Sequence, residues 1–188
     1  MRLTAQAHTH VSQHLRPGDL AVDATAGNGH DTLFLARMVG DTGTVIAMDV
    51  QTAALKATRQ RLNEHGLQHC VELINSCHST LADHLPTDRP VNAAMFNLGY
   101  LPGSDKQATT HSSTTIAAVR VCLARLADNG VLSVMAYRGH AGGQREADDI
   151  AQLLGALPSS EILPEQHRDD GSGPVRRLAT RRPRDRRE

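Results

Sequence analysis

Leu20-Ala-Val-Asp23 is a short apolar run ending on a carboxylate, and it passes without a linker into Ala24-Thr-Ala-Gly-Asn-Gly29 and then a helical pattern from His30. A strand that turns on glycines straight into a helix constrains the chain strongly, because the helix must pack back on the sheet that the strand belongs to. The rest of the sequence repeats this unit. Strand-length apolar runs at about 20–25, 44–50, 71–76, 91–98 and 130–137 alternate with helical patterns at about 3–15, 30–39, 51–65, 112–127 and 143–155. That alternation predicts a doubly wound α/β fold, a parallel sheet covered by helices on both faces. Val91-Asn-Ala-Ala-Met-Phe96 is apolar on both faces, as a central strand must be. Gly66 and Gly130 follow two of the helical patterns and are expected to cap them in the left-handed conformation. Ser112, Ser113 or Thr114 is expected to cap the start of the fourth. Beyond Ser159, Ser160-Glu-Ile-Leu163 and Val175-Arg-Arg-Leu-Ala-Thr180 read as an antiparallel hairpin closing the sheet.

A chain of 188 residues, 39% hydrophobic, is sized for one domain spanning residues 1–188 with a core that needs no staples. No apolar run approaches the ~18 residues of a membrane span, and the histidine-bearing start (His8, His10, His14) is unlike a secretory leader, so the expected location is cytoplasmic. Cys70, Cys77 and Cys122 are odd in number and lack CxxC spacing, which favours reduced thiols over disulfides or a metal site. Net charge is zero but unevenly spread: residues 168–188 hold eight arginines and four acids, which leaves an acidic body. Such a basic segment suits a phosphate backbone, and a solvated, frayed end is an equal reading.

In the segment Asp23-Ala-Thr-Ala-Gly-Asn-Gly-His-Asp-Thr32, Gly27 and Gly29 allow a tight turn and close approach of a nucleotide-type ligand to the backbone. Asp23 is placed to anchor the turn or to meet the ligand through water. The second strand ends in Asp49, twenty positions past Gly29, where an acid accepts ribose hydroxyls. Asn75-Ser-Cys-His78, after the third strand, is expected beside an adenine edge. Asp31 suits the positive end of a helix whether or not it meets a ligand, and His30 either packs the turn or faces substrate. A nicotinamide oxidoreductase would use this cradle almost as well.

Met95-Phe-Asn-Leu-Gly-Tyr-Leu-Pro-Gly103 lies at the ligand-facing end of the fourth strand. It resembles the Asn/Asp-Pro-aromatic turn of amino-directed methyltransferases, in which a carbonyl holds a nucleophilic nitrogen in line with a sulfonium methyl group beside an aromatic wall. A purely structural turn shaped by Gly99 and Pro102-Gly103 is the alternative. Lys106 and the hydroxyl-rich Thr109–Thr115 follow, and Tyr137-Arg-Gly-His140 closes the same rim.

Taken together, Asp23–Thr32, Phe34-Leu-Ala36, Phe96–Gly103 with Asp105-Lys106, and Tyr137-x-Gly-His140 resemble the YtqB/MnmM-type putative rRNA methylase family over roughly residues 20–145. The resemblance implies a Rossmann-like fold with a mostly parallel seven-stranded sheet and S-adenosyl-L-methionine as cofactor. It implies methylation of 5-aminomethyl-(2-thio)uridine at the tRNA wobble position to the 5-methylaminomethyl form, with the tRNA anticodon region as partner and a homodimer as assembly. The implied cofactor residues are Asp23, Gly27, Asn28, Gly29, His30, Asp31, Thr32, Asp49, Gln51, Ser76, His78, Asn97, Leu98 and Gly99. Asn97 and Tyr100 would be catalytic, and Leu101, Lys106, Tyr137 and His140 would meet substrate. An rRNA or small-amine methyltransferase and a noncatalytic RNA-binding module are the competing readings. One departure stands out: Arg176 and Arg177 interrupt a final strand that is more apolar in the family.

Overall fold

The computed structural model describes residues 3–99, 110–159, 161–167 and 174–183. Within them lie helices α1 (Leu3–Ser12), α2 (His30–Val39), α3 (Thr52–Glu64), α4 (Ser112–Arg125) and α5 (Gly143–Gly155). The strands are β1 (Leu20–Asp23), β2 (Thr44–Met48), β3 (Val71–Ile74), β4 (Val91–Leu98), β5 (Leu126–Ala136), β6 (Ile162–His167) and β7 (Val175–Arg181). They form one seven-stranded sheet in the order β3-β2-β1-β4-β5-β7-β6. β1 to β5 are mutually parallel, while β7 runs antiparallel to both β5 and β6. The mostly parallel sheet and the closing hairpin are therefore both present, with β7 inserted between β5 and β6.

The pleat sorts side chains between two layers. Leu20 and Val22 of β1 and Ala94, Phe96 and Leu98 of β4 face α4, α5 and the 3-10 turn His78–Asp83. Ala21, Ala93 and Met95 face the layer of α1 and α2. Asn97, in step with Ala93 and Met95, falls on this second side.

Residues 175–181 of the arginine-rich segment are strand, not a frayed end. Arg176 is buried, 3% exposed, and directs a guanidinium nitrogen to Gln6 Oε1 of α1 at 3.4 Å. A buried arginine is tolerated in a sheet when polar groups meet it, so the two arginines do not break the last strand.

Gly66 caps α3 as expected. Its φ is +69°, the Leu67 amide donates to the Leu62 carbonyl (3.0 Å), and its own amide donates to Asn63 (3.1 Å). This is the paired bonding of a Schellman motif. No atom lies within 4 Å of a Cβ built there, so Gly66→Ala incurs backbone strain alone. We expect a loss of about 1 kcal/mol in urea unfolding, seen as a Tm lower by roughly 2–4 °C.

Gly130 does not cap α4. The helix gives way at Leu126 directly to β5, and the left-handed residue nearby is Asn129, with φ 62°. A Cβ on Gly130 would lie 2.7 Å from Leu126 Cδ2 and 3.0 Å from the Val91 carbonyl, so close packing requires the glycine. The hydroxyls expected to cap the start of α4 do not do so: Ser112 donates to Asp149 on α5, and Thr114 to the His111 carbonyl. No helix among the described residues is long and apolar enough to cross a membrane.

Candidate functional site

Strand order reverses between β1 and β4, and in an open α/β sheet the crevice at the carboxyl ends of such a pair is the place where ligands bind. Asp23, the glycine turn, Asp49, Asn97 and Tyr137 all gather at that edge.

Asp23, 1% exposed, accepts the Thr32 hydroxyl at 2.6 Å and the Thr25 amide at 3.1 Å. It anchors the turn to the first turn of α2. Burial, and then the neighbouring charge of Asp31, push its carboxyl from 3.8 up to about 7, against the opposing pull of the Thr32 and Thr25 bonds, with Asp49 adding a smaller rise. The folded protein therefore holds a proton that the unfolded chain has lost, and this contribution to stability is full below about pH 4 and disappears as pH rises through about 7. Between pH 5 and pH 7 the wild type is expected to lose roughly 1 kcal/mol per pH unit more than Asp23→Asn, measured by urea unfolding.

Gly27 and Gly29 are both left-handed, with φ 53° and 76°. The Gly27 amide donates to Asp49 Oδ2 (2.9 Å), and the Gln51 amide to Asp49 Oδ1 (2.8 Å), so Asp49 ties the turn to the start of α3. α3 also holds the turn from behind: Thr58 donates to the Gly27 carbonyl (3.0 Å) and Arg61 Nε to the Asn28 carbonyl (2.7 Å). No side chain caps α2. Its first-turn amides have no intrahelical partners and form a site for a ligand's negative charge. His30 is exposed and turns toward Arg61 at 3.4 Å.

At the end of β4, the Asn97 amide N–H donates to Thr25 Oγ1 (2.7 Å) and its side-chain Nδ2 to Asp31 Oδ2 (2.7 Å). The other Asp31 oxygen lies 2.6 Å from His8 Nε2, and the His8 ring stacks on Phe34 at 3.9 Å. Asn97 Oδ1 is buried and has no hydrogen-bond partner among the described residues. An orphaned acceptor costs about 1–3 kcal/mol, and its position at a ligand edge marks it for a donor that arrives with substrate.

Gly99, Tyr137 and His140 come together beside it. A Cβ at Gly99 would lie 3.5 Å from Tyr137 Cβ and 3.8 Å from His140 Nε2. Tyr137 is 42% exposed, and burial of the rest, with Asp31 nearby, pushes its phenol above the ordinary range. Tyr100, Leu101 and Lys106 lie outside the described residues.

Three expected ligand residues act from inside the fold. Leu98 is fully buried in the α4–α5 core, and Thr32 is buried behind Asp23. His78 points inward: its ring lies edge-on to Phe96 at 6.0 Å, and Nε2 is 3.3 Å from Thr115 Oγ1. Burial lowers its pKa, against the Ala24 carbonyl and Asp49, which raise it. Ser76, bonded to Thr80 at 2.9 Å, and Cys77 are the half-exposed positions of that segment. Sequence reasoning missed His8, Thr25, Thr58 and Arg61. Only Thr25, inside the glycine motif, lay within reach of local pattern, because the others act across the fold.

The family model described as "Putative rRNA methylase" matches residues 45–168. A curated relative from Arabidopsis thaliana, "tRNA (mnm(5)s(2)U34)-methyltransferase, chloroplastic", is 37% identical over 170 residues, covering 86% of this chain and 62% of the relative. The chain thus spans about three fifths of that relative's length. Among solved structures, a "putative rRNA-methylase" from Clostridium thermocellum superposes with a TM-score of 0.91 at 31% identity, covering 96% of this chain and 98% of that one. A "putative methyltransferase" from Streptococcus mutans in complex with SAH gives 0.87 at 32% identity, with the same coverage. The sheet order, the glycine cradle with its acids and the match over two thirds of the sequence agree, and this chain belongs to the putative rRNA methylase family.

Proposed function

We propose that the chain is an S-adenosyl-L-methionine-dependent N-methyltransferase that converts 5-aminomethyl-(2-thio)uridine at the tRNA wobble position to its 5-methylaminomethyl form. The observation that carries this reading is the buried, unpartnered Asn97 Oδ1 beside the glycine cradle. A buried acceptor at the ligand-binding end of β4, without a partner among the described residues, suits a substrate that brings an N–H.

The residues present fit the cofactor. The uncapped start of α2 suits its carboxylate, the Asp49 carboxylate its ribose, and the half-exposed Ser76 its adenine side. Gly27, Asn28, Gly29 and Gln51 would line the cradle, with Asp23 and Thr32 holding it in shape. The SAH in the Streptococcus mutans relative supports this assignment. When bound, the cofactor supplies an electrophilic methyl group.

The chain's own work is then positional. Asn97 Oδ1 accepts one N–H of the substrate amine and so aims its lone pair, while the buried setting favours the uncharged amine. Alignment of this kind accounts for much of the acceleration of a displacement reaction. Tyr137 walls the site and His140 faces RNA; Tyr100, Leu101 and Lys106, given substrate or catalytic roles by the resemblance, lie outside the described residues. The name of the Arabidopsis relative supports tRNA as the substrate, whereas the family description favours rRNA as the second reading. A cytoplasmic location and a homodimer belong to the same proposal.

The test is incubation with methyl-labelled S-adenosylmethionine and, separately, tRNA bearing 5-aminomethyluridine, rRNA and a small primary amine. Label is expected in the wobble nucleoside of tRNA. Label in rRNA alone, or none with cofactor bound, overturns the proposal.

A further inference from the structure

We infer that Asp31, held by His8, is the positioning residue that fixes which end of the Asn97 amide meets the substrate amine. This rests on the reading above, in which Asn97 receives that amine. An asparagine amide has nearly the same shape in its two flipped orientations, but opposite hydrogen-bonding character. With Oδ1 outward, it accepts an N–H and leaves the nitrogen lone pair free for attack. With Nδ2 outward, it donates to that same lone pair and blocks the nucleophile.

The side chain itself offers no preference, so a neighbour must choose. An ionised carboxylate only accepts, and Asp31 Oδ2 sits 2.7 Å from Nδ2. That contact leaves one orientation. Asp31 is fixed in turn by His8 Nε2 at 2.6 Å on its other oxygen, and His8 by parallel stacking on Phe34. The Asn97 backbone is pinned separately by Thr25. Position and polarity of the amide therefore have different keepers: Thr25 sets where it sits, Asp31 which way it faces. The negative charge also draws the amide's positive end inward, which makes Oδ1 a stronger acceptor for the ammonium charge that develops as the nitrogen–methyl bond forms.

Asp31→Asn removes the bias, because an asparagine at 31 can offer Asn97 either a donor or an acceptor. We expect kcat to fall about tenfold or more while SAH affinity by calorimetry stays within roughly threefold. Combining Asp31→Asn with Asn97→Asp restores polarity in reverse, with residue 31 donating and residue 97 accepting, and should recover at least about tenfold of the lost rate. His8→Phe keeps the stack, loses the bond, and should give a smaller fall in kcat. A readout independent of activity is the Asn97 side-chain amide in NMR spectra, assigned by its loss in Asn97→Asp. It should be one exchange-protected pair in the wild type and shifted or doubled in Asp31→Asn.

Wild-type kcat together with an undisturbed Asn97 amide in Asp31→Asn overturns the inference, as does a double variant no faster than the single one. If the wild type transfers no methyl group to tRNA, the functional reading has failed, and the amide spectra still decide the orientation claim.

Discussion

Asn97→Ala is expected to lower the rate of methyl transfer by about 10²–10³-fold while SAH affinity changes only a few-fold. The cradle proposed for the cofactor is assembled by Asp23, Asp49, Thr58 and Arg61, and none of these hydrogen-bonds to the Asn97 side chain. Removing that side chain leaves the turn intact but deletes the buried acceptor Oδ1 at the end of β4, which is unpartnered among the described residues. It also leaves Asp31 Oδ2 without the Asn97 donor, with His8 still on Oδ1. An uncompensated buried partner costs about 1–3 kcal/mol, so some stability is lost as well. Single-turnover kinetics at saturating cofactor separate the two effects. An equal loss of binding and rate would mean that Asn97 serves the cofactor rather than the amine.

Gly29→Ala is expected to be the most damaging single-methyl change in the cradle. Its φ of +76° already disfavours any side chain, and a Cβ there would lie 2.8 Å from Thr58 Cα, 2.9 Å from Thr58 Oγ1 and 3.0 Å from Thr58 Cγ2. A backbone atom cannot swing aside, so α2 and α3 would have to separate. Separation would also break the Thr58 bond to the Gly27 carbonyl. Strain and overpacking together should cost about 2–5 kcal/mol, a Tm drop of roughly 5–15 °C, with cofactor affinity falling alongside. Gly66→Ala is the control, since it shares the left-handed φ but has open space around it.

Much of the fold was legible because it rests on local periodicity. Each expected strand and helix of the parallel region appears within a few residues of its place, and the Ile162–His167 and Val175–Arg181 hairpin forms. The errors share one cause, which is that a residue's local signal does not say what lies across the fold. Gly130 follows a helical pattern and reads as a cap, yet it is glycine because the Leu126 side chain and the Ala127 and Val91 carbonyls crowd it. Ser112 reads as a cap, yet its hydroxyl goes to Asp149 on α5, 37 positions away. The glycine motif and the Asn97 turn were visible in the sequence, whereas the link between them was not. It runs through Asp31, 66 positions from Asn97, to His8, 23 positions from Asp31 in a helix with no motif of its own.

The most direct test of the central claim is nucleoside mass analysis of tRNA from cells with and without this protein. Loss should abolish the 5-methylaminomethyl form of the wobble uridine and accumulate its 5-aminomethyl precursor, and wild-type protein, unlike Asn97→Ala, should reverse both. Unchanged wobble nucleosides in the deficient cells, with a methylated amine missing from rRNA instead, would contradict it.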